Sequence, residues 1–410
     1  MNSAVPELSP VSDSERFVAL DALRGIALLG ILLSNVAGFS GPLQELHDGI
    51  DPALTGSDQA LSAFVYIALR DKFWTLFSLL FGMGFAVMFE RARAAGRDFG
   101  PIYLRRCIGL LAIGLIHAWL IWAGDILVTY ALSAFALLAL RSLSGGSWLT
   151  LGSLLYLTGV GFMLMIAAAL AAPGVAQGDS AALIVARAER AQEIAAYAHG
   201  DYFAATAQRM RFFFEATIGG WGVMLPLTLG LFLTGAALVR GGVVAEPARH
   251  RAGLRAMIAC GVPLGVALTW ASLAIDSSPS MAVFDASSVL AQTLHMLAGA
   301  PLALALIAAV LLMLDNGARW PLRFAAAGRM ALTNYLGQSL IATFAMYHYG
   351  LGLWGRFSYT QLIIAAVVLF ALQMAASAWW LRRFRFGPVE WLWRAFTYWR
   401  WPMWRARRGE

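Results

Sequence analysis

Apolar runs of about 20 residues recur between residues 17 and 381, separated by short polar stretches. Each run suits a hydrocarbon core of roughly 30 Å crossed at about 1.5 Å per residue, a regularity that one large soluble core does not require. The pattern predicts ten membrane helices, at roughly 17–38, 60–89, 103–123, 125–141, 148–172, 218–239, 254–274, 288–313, 325–346 and 360–381. The fold class is all-α, a polytopic transmembrane bundle with a single domain over 17–396, a polar tail at 1–16 and a basic tail at 397–410. Arg70-Asp71-Lys72 interrupts the second run, which is too long for one crossing, and predicts a short helix, a break and then the span proper. Gly82 and Gly84 permit close packing within that span. The first run begins after the polar tail and contains Asp21 and Arg24, so it is expected to be retained rather than cleaved as a signal peptide. No internal repeat is evident, which disfavours transporter folds built from inverted halves.

Composition agrees. Hydrophobic residues make up 60% of the 410 positions and charged ones 13%, against roughly 45–50% and 25% in a soluble domain, which excludes an ordinary soluble enzyme. The net charge of +7 sits mainly in loops. Arginines crowd 90–106, 240–255, 315–329 and the chain after 381, whereas 40–60 and 275–287 carry acidic residues and no basic one. These sets alternate as ten spans require, and the positive-inside rule predicts both termini in the cytoplasm of a bacterial inner membrane. The basic excess is therefore a topology signal, compatible with anionic-lipid contact, and nucleic acid is not an expected partner. Cys107 and Cys260, both in predicted spans, supply neither a disulfide framework nor a zinc signature, so no metal is expected. The longest outer loop, 173–217, is helical in pattern, with Arg187, Glu189, Arg190 and Glu193 closely spaced; it reads as a packed surface helix, with an interfacial helix or a lid as alternatives.

Ionisable groups inside spans cost several kcal/mol and usually face a partner or a cavity. Three clusters stand out. In span 1, Asp21 and Arg24 are three apart and can pair on one face; Asn35 returns to that face about 16 Å further along. In span 3, Arg106 and His117 are likewise eleven apart, and Asp125 follows within reach of the imidazole. In span 9, Asn334 and Gln338 share a face with Tyr335 alongside. Each cluster also fits a purely structural role in helix packing.

Five segments make the chain recognisable: Asp21-x-x-Arg24-Gly25 with Asn35; Lys72-Phe-x-x-Leu-Phe-Ser-Leu-Leu-Phe-Gly82; His117 with Gly124-Asp-Ile-Leu127; Gly328-Arg-Met-Ala-Leu-Thr-Asn-Tyr335; and Gly387-Pro-Val-Glu-Trp-Leu-Trp-Arg394. Spread from residue 17 to about 396, they resemble the YeiB family of bacterial inner-membrane proteins, whose pattern includes Lys72, the only lysine of the chain. That family in turn resembles, more distantly, a superfamily of membrane acyltransferases that includes the acyltransferase-3 proteins and heparan-alpha-glucosaminide N-acetyltransferase, chiefly through the first span. In acyltransferase-3 proteins the residue eleven after the arginine is an essential histidine, whereas here it is Asn35. The lysosomal acetyltransferase has asparagine there and uses a later histidine, which corresponds by rough position to His47. Because His117 belongs to the YeiB pattern, it is the preferred essential histidine.

The resemblance implies transfer of an acyl group, such as acetyl, from a cytoplasmic acyl-CoA to a small-molecule acceptor reached from the membrane or the outer side. In that expectation Asp21, Arg24, Lys72 and Arg106 bind the donor, His117, Asp125 and Asn35 carry the chemistry, and Asn334, Tyr335 and Gln338 contact the acceptor. Acetyl-CoA or another acyl-CoA is the donor substrate, no cofactor is covalently held, and membrane lipids are partners; a homodimer is left open. The competing expectation is a transporter or channel for a small anion or lipid-linked molecule, using the same buried charges.

Overall fold

A computed structural model describes residues 17–43, 49–173, 180–280 and 285–405. His47 and the polar tail 1–16 lie outside the described residues. Regular structure among them is helical, apart from one isolated antiparallel bridge between Phe384 and Arg405. In chain order the α-helices are α1 (Val18–Asn35), α2 (Ala37–Ser40), α3 (Gly56–Phe64), α4 (Lys72–Ala94), α5 (Phe99–Ile116), α6 (Leu127–Ala139), α7 (Gly145–Leu170), α8 (Ser180–Ile194), α9 (Tyr202–Phe212), α10 (Ile218–Arg240), α11 (Arg251–Ile275), α12 (Ala286–Asp315), α13 (Ala325–Arg329), α14 (Ala331–Met346), α15 (Tyr359–Leu381) and α16 (Pro388–Tyr398).

Among the described residues, eight helical stretches are long and apolar enough to cross a membrane, as expected of a multi-pass membrane protein. Three predicted spans differ in form. The span at 125–141 is the 13-residue α6, about 20 Å long, too short to cross alone. The span at 325–346 breaks at Met330, between α13 and α14. The span at 103–123 is α-helical only to Ile116; a π-turn at His117–Ile121 ends it. The predicted break in the second span falls at Asp71, whose φ of 63° is left-handed and sets α3 off from α4. The segment 173–217, predicted to be helical, contains α8 and α9, and α9 runs through a π-turn at Phe213–Thr217 into α10, forming one apolar stretch from Tyr202 to Arg240.

The basic loops gather at one end of the bundle. Arg240 reaches both Glu90 (3.0 Å) and the Leu143 carbonyl (2.7 Å), Arg251 pairs with Asp315 at 2.6 Å, and Arg105 donates to the Thr397 carbonyl at 2.9 Å. The acidic and neutral loops meet at the other end, where Gly49 N–H donates to Pro279 (2.7 Å), His348 N–H to Tyr197 (2.9 Å) and Thr360 N–H to Asp58 (2.8 Å). The charge alternation of the loops is therefore a real partition into a basic and an acidic end. Between them α10 packs against α4 and α7, and α11 runs along α12. At the α4–α10 contact a Cβ on Gly82 would lie 1.9 Å from the Phe232 carbonyl oxygen, so only glycine allows that approach. Gly84, by contrast, lies under the Arg24 guanidinium.

Candidate functional site

A cavity of about 220 Å³ opens at the basic end between α1, α4, α5, α6, α14 and α16. Its mouth carries Asp21, Arg24, Arg106, Arg329 and Arg394; its floor is formed by Phe77, Leu127, Tyr130 and Tyr335. The close crossing of α1 and α13 builds one wall: a Cβ on Gly328 would stand 1.8 Å from the Asp21 carbonyl oxygen. That crossing accounts for glycine in both the Gly25 and the Gly328 segments, and it brings Arg329 beside the Asp21–Arg24 pair. Asp21 and Arg24 form the predicted i,i+3 ion pair at 2.8 Å, with the carboxylate buried and the guanidinium reaching into the cavity. Arg106 lies flat on Trp393, 3.7 Å from the ring centroid, and Trp393 Nε1–H donates to the Arg106 carbonyl at 2.9 Å. Stacking occupies the face of the guanidinium and leaves its edge N–H groups for an anion.

Behind the floor lies the dyad. His117 Nδ1 is 2.7 Å from Asp125 Oδ2, and both side chains are fully enclosed, at 0% and 2% exposure. The other carboxylate oxygen accepts the Val128 N–H at 2.9 Å, at the first turn of α6, where helix N–H groups favour negative charge. Because a carboxylate only accepts, the proton between them sits on Nδ1, which makes Nε2 the free base of the ring. Nε2 has no hydrogen-bond partner. The Tyr335 ring stands 5.1 Å from the imidazole, on the cavity side, so the dyad touches the cavity through Tyr335 rather than lining it directly.

The π-turn beginning at His117 is held from outside the sequence neighbourhood. Arg209 of α9, completely buried, donates through Nε to the Trp119 carbonyl (2.9 Å) and through a terminal nitrogen to the Ile121 carbonyl (3.5 Å). These carbonyls lack intrahelical partners at a helix end, and a buried guanidinium with five donors satisfies them. Sequence reading missed Arg209 because it fell in the presumed outer loop.

The remaining predicted residues distribute as follows. Asn35 ends α1, half-buried, and does not line the cavity. Asn334 Nδ2 donates to the Ala327 carbonyl and to Ser377 Oγ, each at 3.0 Å, and Gln338 donates to Gln373 at 2.8 Å. These two amides pack α14 against α13 and α15, the helix-packing role, and of the span 9 trio only Tyr335 faces the cavity. Lys72 is not at the mouth either. It is buried at the start of α4, with Nζ 2.7 Å from His295 Nε2, a partner 223 residues away that spacing cannot reveal. Glu390, quoted only as part of a motif, accepts the Leu332 and Thr333 N–H groups at 2.7 and 3.0 Å and so docks α16, with its cavity residues, on the start of α14.

Residues 238–400 match the family model described as "Protein of unknown function (DUF418)". The chain is 34% identical to the uncharacterized protein YxaH of Bacillus subtilis, over 96% of this chain and 97% of that protein. It is 32% identical to the uncharacterized protein YeiB of Escherichia coli, over 93% and 96%. A third relative, an uncharacterized 39.9 kDa protein of Bacillus acidopullulyticus, is 29% identical over 95% of this chain. With likeness running end to end, through both the Asp21–Arg24 segment and the Glu390 segment, the chain belongs to the YeiB family.

Proposed function

We propose that the protein is an inner-membrane acyltransferase that moves an acetyl or other acyl group from a cytoplasmic acyl-CoA to a small-molecule acceptor reached from the membrane or the periplasmic side. The observation that carries this reading is the alignment of an arginine-ringed mouth, a cavity of about 220 Å³ and, behind its floor, a buried imidazole–carboxylate dyad with an unused Nε2. Arginine density supports a cytoplasmic basic end, on the side where acyl-CoA is made. Arg24, Arg106 and Arg394 would take the donor phosphates, and the apolar shaft along Leu28, Phe77 and Phe81 would take the pantetheine arm.

The chemistry follows from the tautomer. Tyr335 swings aside to admit the acceptor; His117 Nε2 removes the proton from its hydroxyl or ammonium-derived amine as the new acyl–oxygen or acyl–nitrogen bond forms. The thioester C–S bond breaks, and the departing thiolate recovers the proton from the imidazolium, whose charge Asp125 balances meanwhile. An open channel would need a continuous route between the ends, whereas this cavity stops at Leu127, Tyr130 and Tyr335; that disfavours a channel. Equilibrium binding of acetyl-CoA and longer acyl-CoAs to the purified protein is the test. Saturable binding that weakens with salt is expected. Folded protein that binds none of them would reject the reading in favour of the transporter.

A further inference from the structure

A second buried ionisable centre lies apart from the cavity, between α4 and α12. Lys72 and His295 are each at least nine-tenths buried and stand 2.7 Å apart, Nζ to Nε2. Tyr66, in the π-turn Val65–Leu69 just before the break, stacks on His295 with centroids 4.2 Å apart and planes 14° apart. Arg70 lies over the Tyr66 ring at 5.6 Å. Ser272 lies against the Tyr66 hydroxyl, and the Tyr66 backbone against the His295 ring.

A 2.7 Å contact between an amine and an imidazole nitrogen requires one proton between them. With both groups protonated, neither nitrogen could accept, and two cations would face each other away from water. The pair therefore carries one charge in place of two. Groups around it are Arg70 and Asp71 at the break, Tyr66 on its own turn, Tyr156 of α7, whose hydroxyl donates to the Met296 carbonyl (3.0 Å), and, towards the acidic end, Ser272 and Asp276 facing Tyr66. On the other side, Thr75 and Ser78 follow Lys72 at i+3 and i+6 along one fully buried face of α4, spanning about 9 Å. Ser78 Oγ lies 2.7 Å from the Tyr130 hydroxyl, and Tyr130 is part of the cavity floor.

We propose that Lys72 and His295 form a proton-binding site that exchanges with the acidic end through Tyr66 and with the cavity through the Thr75–Ser78 face. The proton is held between Nζ and Nε2, and Nδ1 is the nitrogen that loses or gains one when the ring exchanges. The role served rests on the acyltransferase reading: an ammonium acceptor releases one proton per turnover that the thiolate does not consume, and this site gives it a path.

The test uses the full chain in nanodiscs with isotope-labelled histidines, the six signals being assigned with His295→Gln. At neutral pH His295 is expected to show the signals of a neutral ring whose Nε2 accepts the Lys72 hydrogen bond. In Lys72→Met, with the hydrogen-bond partner of Nε2 gone, the Nε2 signal should shift. Tyr66→Phe and Ser78→Ala should leave His295 neutral while slowing exchange of its ring N–H with solvent severalfold. Lys72→Arg serves should the methionine variant not fold: it should preserve the neutral ring and slow the exchange. A doubly protonated His295 ring in the unmodified chain, or exchange unaltered in both Tyr66→Phe and Ser78→Ala, would overturn the proposal. None of these readouts needs acyl-CoA, so a failure here is distinct from a failure of donor binding.

Discussion

At the scale of single residues, the charge on Asp125 carries more weight than its size. Asp125→Asn keeps the volume and the Val128 contact but can present an amide N–H to His117 Nδ1, so the ring turns to the tautomer with its proton on Nε2 and loses its base. On the acyl-transfer reading, kcat should fall by about 10³–10⁴-fold while donor affinity stays nearly unchanged; steady-state rates beside equilibrium binding check both, and a fully active variant would remove the dyad from the mechanism. His117→Ala should abolish turnover while leaving acyl-CoA binding largely intact; should His47→Ala be the dead variant and His117→Ala active, the site assignment is wrong. The mouth behaves oppositely. Arg24→Gln deletes a charge-assisted contact, each worth about 1.5–3 kcal/mol, and should weaken acyl-CoA binding roughly 10- to 100-fold. Because Arg24 also balances buried Asp21, Asp21→Asn is the control: it keeps the guanidinium and should keep the affinity.

Elements bring these residues together, and one carboxylate decides where α16 sits. Glu390 accepts two backbone N–H groups at the start of α14 and the Thr333 hydroxyl, an N-cap supplied from 57–58 residues away. Removing it as Glu390→Ala should destabilise the fold by about 1–2 kcal/mol and loosen Trp393 and Arg394 at the cavity mouth, measurable as a lower thermal midpoint and weaker donor binding. Burial pushes the Glu390 carboxyl above its ordinary range, against the lowering effect of the hydrogen bonds from Thr333 and Leu332. A raised carboxyl binds more protons folded than unfolded, so its contribution is fully present below the unfolded value and is lost as pH rises through the folded one. Relative to Glu390→Gln, the unmodified chain should therefore lose thermal stability as pH rises from acidic values; a constant difference would contradict this. Such long-range partnerships mark where sequence reading stops. The Asp21–Arg24 and His117–Asp125 pairs were legible because helix spacing or a short loop brings their members together. Arg209 on the π-turn, His295 on Lys72 and Glu390 on α14 were not, because their partners lie 57 to 223 residues off and meet only through packing. Asn334 and Gln338 were misplaced for a related reason: polarity inside a span marks a partner, and here the partner is α15.

For the whole molecule, the decisive quantity is which end faces the cytoplasm, since the donor cavity opens at one end only. The basic end collects Arg240, Arg249, Arg251 and Arg255 between α10 and α11 alone, while the described loops of the acidic end place Asp58 and Asp276 there without a neighbouring lysine or arginine in their loops. Loop arginines resist translocation, and the proposed orientation, with the basic end inside, rests on this asymmetry. Two substitutions read it out. Gly253→Cys sits on the first turns of α11, exposed and with open space around its Cβ; Ser287→Cys sits exposed at the acidic end, on the first turn of α12. Both belong in a background with Cys260→Ser, because Cys260 is exposed whereas Cys107 is buried. In intact cells a membrane-impermeant maleimide should label Cys at 287 at once and at 253 only after permeabilisation. The reverse pattern would turn the arginine-ringed mouth away from the cytoplasmic pool of acyl-CoA, and the acyl-transfer reading would fall with it even if the dyad geometry were intact.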